Sequence, residues 1–578
     1  QYFMPYRELG VVKNASSELL MNIEPEGKGA LLRIFATSAQ KDLHIVVERS
    51  GEICLDMTGD VTPENIFEVF VPVDSLTDVK VRISNDKGKQ MLAWEPEPDV
   101  IKEVPEPAKA ALDPADVRTT EQLYLTGLHL EQYRHATYSA TDYYQEAIRR
   151  DPTDVRNNNA MGLWLIRKGQ FAKAEPYLRQ AVKTLTERNP NPYDGEPLYN
   201  LGLSLKYQGK TEEAYGFFYK ACWNAAWQDA GYYSLAQLSV ARGDWEEALY
   251  EIDKSLVRNW HNLRGRHLKA TILRHLGRKE DALSLIEESL RMDRFNFGCG
   301  FEKFLLTGND ADWQTLVSLM RPEAHNYEEL ALDYASAGCW EEALDVVDKV
   351  ICMKVLGQTM LHYYKSWFLI CLDRKEEALA AIREAERQTP DCCFPNALEA
   401  ILALQAVIDF AEETPKALYY LGNLWYDKRQ YPEAIAAWET SMKQDATFPT
   451  VLRNLSLAYF NKLGKEEEAV RLLEKAFALD TTDARVLMEL DQLYKRLNRP
   501  HTERLAFLDK YKDVAFSRDD LYLEYLTLLN QLGRYEEAIH MIDDRQFHPW
   551  EGGEGKVPAQ YQLCLLYTSP SPRDGATS

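Results

Sequence analysis

The chain has 578 residues, 45% hydrophobic and 27% charged, an ordinary globular balance that excludes a disordered polymer and is too long for one compact core. Against 67 Lys plus Arg stand 90 Asp plus Glu, and the resulting net charge of −23 disfavours nucleic acid or an anionic membrane as a global partner. No apolar run approaches the roughly 20 residues that span a bilayer. The first residue is Gln1 and no signal peptide follows it, so the true N-terminus is expected upstream. The nine cysteines are scattered, odd in number and free of any C-x-x-C pair, which fits reduced thiols in a cytoplasmic compartment.

Residues Gly10–Trp94 read as strands. Leu31–Phe35, His44–Val47, Phe67–Val71 and Val79–Ile83 are β-branched or alternating runs of strand length. Turn clusters at Glu24–Gly27 and Asn85–Gly88 separate them. About six or seven short strands predict a small antiparallel β-sandwich of immunoglobulin type over 16–94. A Pro/Glu-rich stretch over 95–113 then predicts an extended, stiff linker, because proline fixes φ and removes a donor.

From Pro114 onward the pattern is helical and repeats. A small residue, usually within Glu-Glu-Ala, recurs at Ala140, Ala174, Ala214, Ala248, Ala282, Ala343, Ala378, Ala434, Ala469 and Ala538. The intervals are 34, 40, 34, 34, 61, 35, 56, 35 and 69 residues, the last holding a worn repeat around Arg496–Asp509. A 34-residue period with Gly162, Gly202 and Gly422 in register is the tetratricopeptide signature. Paired helices pack closely at small residues, and no pair buries its apolar face alone, so neighbours must stack. The predicted fold is therefore mostly α: a tetratricopeptide-repeat superhelical solenoid of about ten or eleven repeats over 114–547, preceded by the sandwich. Residues 548–578 read as a loop and tail. Cys564–Ser578 fits no repeat position and resembles translated sequencing-adapter read-through of the kind met in metagenomic assemblies, the alternative being a natural disordered tail.

Several stretches, namely Gln1–Tyr6 with Gly10–Ala15, Thr120–Tyr138, Arg188–Tyr199 and Trp223–Tyr232, are similar to a bacterial family known as domain of unknown function 5107 with C-terminal tetratricopeptide repeats. The resemblance implies a galactose-mutarotase-like β-supersandwich upstream, with residues 1–15 as its last strand and exit. Any catalytic residues would then lie upstream, and the implied role is carbohydrate-related.

No catalytic motif, metal-ligand spacing or cofactor signature is present, so no catalytic residue, metal or cofactor is assigned. Paired carboxylates such as Glu246-Glu247 and Glu341-Glu342 sit at second-helix starts, where they favour the helix dipole from solvent. Trp223, Trp227 and Trp260 read as core aromatics, with sugar or domain stacking as the alternative. One pattern points to binding. Counting along the first helices, which line the concave groove of such arrays, gives His129, Tyr133, Arg156, Asn159, Arg167, Tyr199, Lys206, Tyr233, Arg264, His267 and Arg274 as groove residues. These positions are basic and aromatic in an acidic chain. They suit another protein, the chain's own N-terminal domain, an acidic peptide or a glycan. The competing reading is that long basic side chains merely balance acidic outer helices.

Overall fold

The computed structural model describes residues 9–97, 104, 106–107, 109–133, 135 and 137–568. The expected exit strand thus lies outside the described residues over 1–8, as do 98–103 of the linker and the tail beyond 568. Two compact units divide the chain: Gln1–Ala378 with Thr389–Cys393, and Leu379–Gln388 with Phe394–Ser578.

The first unit opens with eight strands: β1 (Asn14–Ala15), β2 (Leu19–Glu26), β3 (Gly29–Ala36), β4 (Gln40–Arg49), β5 (Glu52–Val61), β6 (Phe67–Val71), β7 (Val79–Ser84) and β8 (Gln90–Trp94). They form two four-stranded antiparallel sheets, ordered β1-β2-β3-β6 and β5-β4-β7-β8, a Greek-key sandwich. Alternation explains the layers. In β7, Val79, Val81 and Ile83 are fully buried between the sheets while Lys80 and Arg82 face solvent. Each buried aliphatic side chain contributes about 1.5–3 kcal/mol, and a one-residue slip would turn all three outward. The cluster at Glu24–Gly27 is not all turn. Pro25 and Glu26 remain paired with Ala30 and Gly29, and the hairpin turns at Gly27, whose φ is +59°.

Helices follow: α1 (Thr120–Gln132), α2 (Ala140–Arg150), α3 (Val155–Arg167), α4 (Phe171–Thr186), α5 (Glu196–Tyr207), α6 (Thr211–Ala221), α7 (Gln228–Arg242) and α8 (Trp245–Arg258). Next come α9 (Leu263–His275), α10 (Lys279–Met292), α11 (Phe297–Thr307), α12 (Asp310–Met320), α13 (Ala324–Ser336), α14 (Trp340–Met353) and α15 (Thr359–Cys371). The linker's end is pinned onto α2, where the Arg150 guanidinium donates to the carbonyls of Val117 at 2.6 Å and Pro114 at 3.1 Å. The sandwich also touches the array directly. Phe295, in the turn between α10 and α11, packs on the cluster of Leu9, Leu20 and Phe35, and Arg294 beside it pairs with Glu64.

α16 (Lys375–Ala385) crosses the boundary between units. The second unit then holds α17 (Leu398–Phe410), α18 (Pro415–Asp427), α19 (Tyr431–Gln444), α20 (Pro449–Ala458), α21 (Glu466–Leu479), α22 (Ala484–Arg496), α23 (His501–Lys510), α24 (Lys512–Ala515), α25 (Asp519–Gln531), α26 (Tyr535–Asp543) and α27 (Lys556–Thr568). No helix of the described residues is long and apolar enough to cross a membrane.

The landmarks mark helix–helix contact. Nine of the ten alanines are completely buried and Ala140 nearly so. In the facing first helices a Cβ at Gly202 would come within 2.6 Å of the Phe218 ring, and one at Gly422 within 2.4 Å of the Trp438 ring. First helices end in a left-handed residue, Gly243 at φ +79° for example, and Asp373 and Arg429 take that conformation where glycine is missing. Irregular intervals have physical causes. The 61-residue interval contains α11/α12, a hairpin with no landmark. In the 69-residue interval the worn hairpin α22/α23 replaces the small pair by Asp491 and Arg504, 0% and 2% exposed, joined by two hydrogen bonds.

The C-terminal segment departs from expectation. Residues 556–568, read from sequence as loop and tail, form α27, which packs on α25 and α26 with Cys564 buried and Tyr567 stacked on Tyr535. Asn530 also donates to Gln560 at 2.9 Å, and none of these seating contacts belongs to the landmark pattern.

Candidate interaction surface

All eleven predicted groove residues lie on, or one residue beyond, first helices. Helices α1, α3 and α5 lie side by side, as do α7 and α9, because each hairpin stacks on the last. The structure splits the eleven into two groups.

The N-terminal group is open. His129, Tyr133, Arg156 and Arg167 are exposed, Tyr133 at 74% with its ring 4.5 Å from that of His129. Arg156 pairs with Glu121 at 3.3 Å and lies over the Tyr124 ring; Arg167 pairs with Glu131 at 2.5 Å. Asn159 is buried and donates to Glu196 at 3.0 Å. Tyr199 is half-buried against Phe218 and Trp227, and Lys206 donates to Gln237 at 2.6 Å.

In the C-terminal group the chain itself buries His267 and half-buries Tyr233 and Arg274, while Arg264 stays exposed but bonded. Helix α13 reaches back to α7 and α9: Gln237 donates to Ser336 at 2.7 Å, and Arg264 pairs with Glu329 at 3.0 Å and Asp333 at 3.2 Å. Tyr233, Arg264 and His267 line, with Asp333 and Tyr334, a cavity of only about 10 Å³. His267 is 4% exposed and meets Tyr334 edge-on, and burial pushes its imidazole down to about 4. Arg274 bridges Glu302 at 2.7 Å and Glu342 at 2.8 Å. Glu302 is wholly buried and also accepts from Thr271 and Tyr334.

The positive sign expected of these positions is therefore largely cancelled in space. The carboxylates come from other positions of α1 and α5 and from α11, α13 and α14, which no count along groove positions includes. Glu342 is the residue that sequence reasoning placed wrongly. Read as a solvated helix start, it instead accepts from Arg274 and His275. Burial opposes its ionisation, but the hydrogen bonds from His275 and Arg274 outweigh this and hold the carboxyl down at about 2. The 61-residue interval was the available signal that the array is irregular here. Trp223 and Trp260 are not core either, being 58% and 47% exposed, whereas Trp227 packs on Tyr199.

The C-terminal group carries a pH signature. Unfolded, His267 takes a proton near its ordinary 6.5, while in the fold it stays neutral down to about 4, so stability falls as pH drops through that window. Glu342 acts with the same sign lower down: its contribution is complete above about 4.5 and is lost toward about 2. The protection of α13, its exchange rate corrected for the intrinsic pH dependence, is expected to fall in two steps on acidification. Glu342→Gln should flatten the lower step and leave the upper one.

Among the described residues no three His, Cys, Asp or Glu side chains gather as a metal site.

Two family models match parts of the chain. A family model described as "YphG-like protein, second domain" matches residues 14–94, and one described as "Tetratricopeptide repeat" matches residues 396–447. Solved structures similar to the chain include Naa15/Naa10 bound to HypK-THB, at 13% identity over 76% of this chain and 70% of that one, TM-score 0.25. A tetratricopeptide repeat protein from Parabacteroides merdae ATCC 43184 is 15% identical over 53% of this chain and 98% of its own, TM-score 0.24. MamA is 14% identical over 32% and 94%, TM-score 0.21. Residues 14–94 are thus similar to a YphG-like second domain and residues 396–447 to a tetratricopeptide repeat.

Proposed function

We propose that the chain is a cytoplasmic protein-interaction scaffold whose working face is the open part of the first-helix surface, carried by His129, Tyr133, Arg156 and Arg167. The observation that carries this reading is the contrast in exposure: these four face solvent, while His267 is buried and Arg274 is largely covered by its bonds to Glu302 and Glu342. Arg156 pairs with the exposed Glu121 and can exchange that partner at little cost, since surface pairs are worth about 0–1 kcal/mol, while the exposed guanidinium of Arg167 keeps donors to spare beside the half-buried Glu131. An incoming acidic segment, or an acidic face of the chain's own upstream domain, can displace Glu121 and take the guanidinium forks.

A second reading makes the hairpins the C-terminal part of a glycan-processing enzyme of the domain-5107 family, with the catalytic residues upstream. It draws on the family resemblance and on the matched model being described as a second domain.

In an affinity pull-down, Arg156→Glu with Arg167→Glu is expected to lose partners that the unaltered chain retains. Arg278→Glu, on the outer surface, should retain them. Partners kept by the double variant would sink the scaffold face.

A further inference from the structure

We infer that the loop 188–195 and the segment 219–227 form a second docking site, apart from the first-helix face, for an extended acidic, proline-containing segment of a partner protein. The loop is an insertion. Connection 187–195 between α4 and α5 is longer than connections 151–154 and 259–262, and it lies within the 40-residue interval of the array. Insertions in repeat arrays map to surface loops, often on a binding face.

This loop is built rather than loose. The Asn224 side-chain amide donates to the Tyr193 carbonyl, and the Lys220 ammonium donates to Asn191 Oδ1 at 2.5 Å. Gly195 lies so close to the next hairpin that a Cβ there would come within 2.9 Å of Trp227. Yet what this framework presents outward is aromatic: Tyr193 is 95% exposed, Trp223 58% and Tyr219 52%. Two stretches that the helical period does not require therefore meet to hold rings in water.

Charge selects the occupant. The Lys220 ammonium stands 3.5 Å from the Trp223 ring centroid and bonds an amide, not a carboxylate. Arg188, exposed and three residues before Asn191, has no ion-pair partner among the described residues. The exposed Asp194 carboxylate in the same loop accepts from the backbone N–H of Glu196 and forms no ion pair with Lys220 or Arg188 among the described residues. Two cations without carboxylates beside open aromatic rings match a segment that alternates acids with prolines. Proline rings stack on Trp and Tyr in the polyproline II conformation, which needs little ordering on binding. A neutral glycan would also stack, but would leave both cations unmatched.

The test is fluorescence anisotropy of a labelled (Glu-Pro)6 peptide with the full chain. Saturable binding that weakens with added salt is expected, with Trp223→Ala and Lys220→Glu each weakening it by about tenfold or more. Tyr193→Ala, at the exposed loop tip, serves as a second variant that leaves the helices intact and should also weaken binding. The Arg156→Glu, Arg167→Glu variant should bind the peptide like the unaltered chain, which separates this site from the first-helix face. Absence of peptide binding, or equal binding by Trp223→Ala and Lys220→Glu, would overturn the inference. So would saturable binding of cellohexaose that depends on Trp223 in place of the peptide.

Discussion

Asp491→Ala is expected to destabilise the second unit by about 3–5 kcal/mol, because it leaves a buried guanidinium without its principal counter-charge. Arg504 is 2% exposed and donates to Asp491 from Nε at 3.0 Å and Nη2 at 2.5 Å, with Glu524 at 2.7 Å as its further carboxylate. Elsewhere in the array the two facing positions are small, as in Gly202 with Ala214 and Gly422 with Ala434. This hairpin replaces that small pair by an ion pair. Restoring the small pair with Asp491→Gly and Arg504→Ala together is therefore expected to recover much of the loss, since a well-packed apolar contact often equals a buried ion pair. Urea denaturation of the three proteins decides it. A double variant no more stable than Asp491→Ala would show that the local backbone has adjusted to the charged pair and no longer accepts close packing.

Glu302→Ala should cost about 3–5 kcal/mol in the first unit by the same mechanism, with a structural consequence of its own. The Glu302 carboxylate is completely buried and accepts from Arg274 at 2.7 Å, Tyr334 at 2.8 Å and Thr271 at 2.9 Å, tying α9 to α11 and α13. Its loss leaves Arg274 with Glu342 alone and removes the acceptor of a buried tyrosine hydroxyl. Hydrogen exchange is expected to rise first in Ala324–Ser336, and a cysteine-directed reagent should reach Cys339, which is 6% exposed and lines the same small cavity. Unchanged exchange in that helix would mean that the network does not hold α13 in place.

Much of the architecture was legible in the residue order because its causes are local. The alternation in Val79–Ser84 defines a strand with one buried face, and the spacing of Gly202 and Ala214 defines two helices whose backbones approach closely. The worn repeat was visible as a lapse in spacing, but its substitute was not: Asp491 and Arg504 are thirteen residues apart, and only packing makes them a pair. Residues 556–568 failed for the opposite reason, since a helix seated by Cys564 and Tyr567 carries no landmark.

By itself the sequence determined the class of most elements, the hairpin period and the set of first-helix residues, since all of these follow from periodicities shorter than one repeat. Only the tertiary structure decided which of those residues face solvent. His267 is closed over by Tyr334 of a helix some 65 residues further along the chain, and Arg264, though exposed, is bonded by the same helix. The return of α13 onto α9 depends on how successive hairpins rotate, a sum of small packing angles that no single repeat encodes.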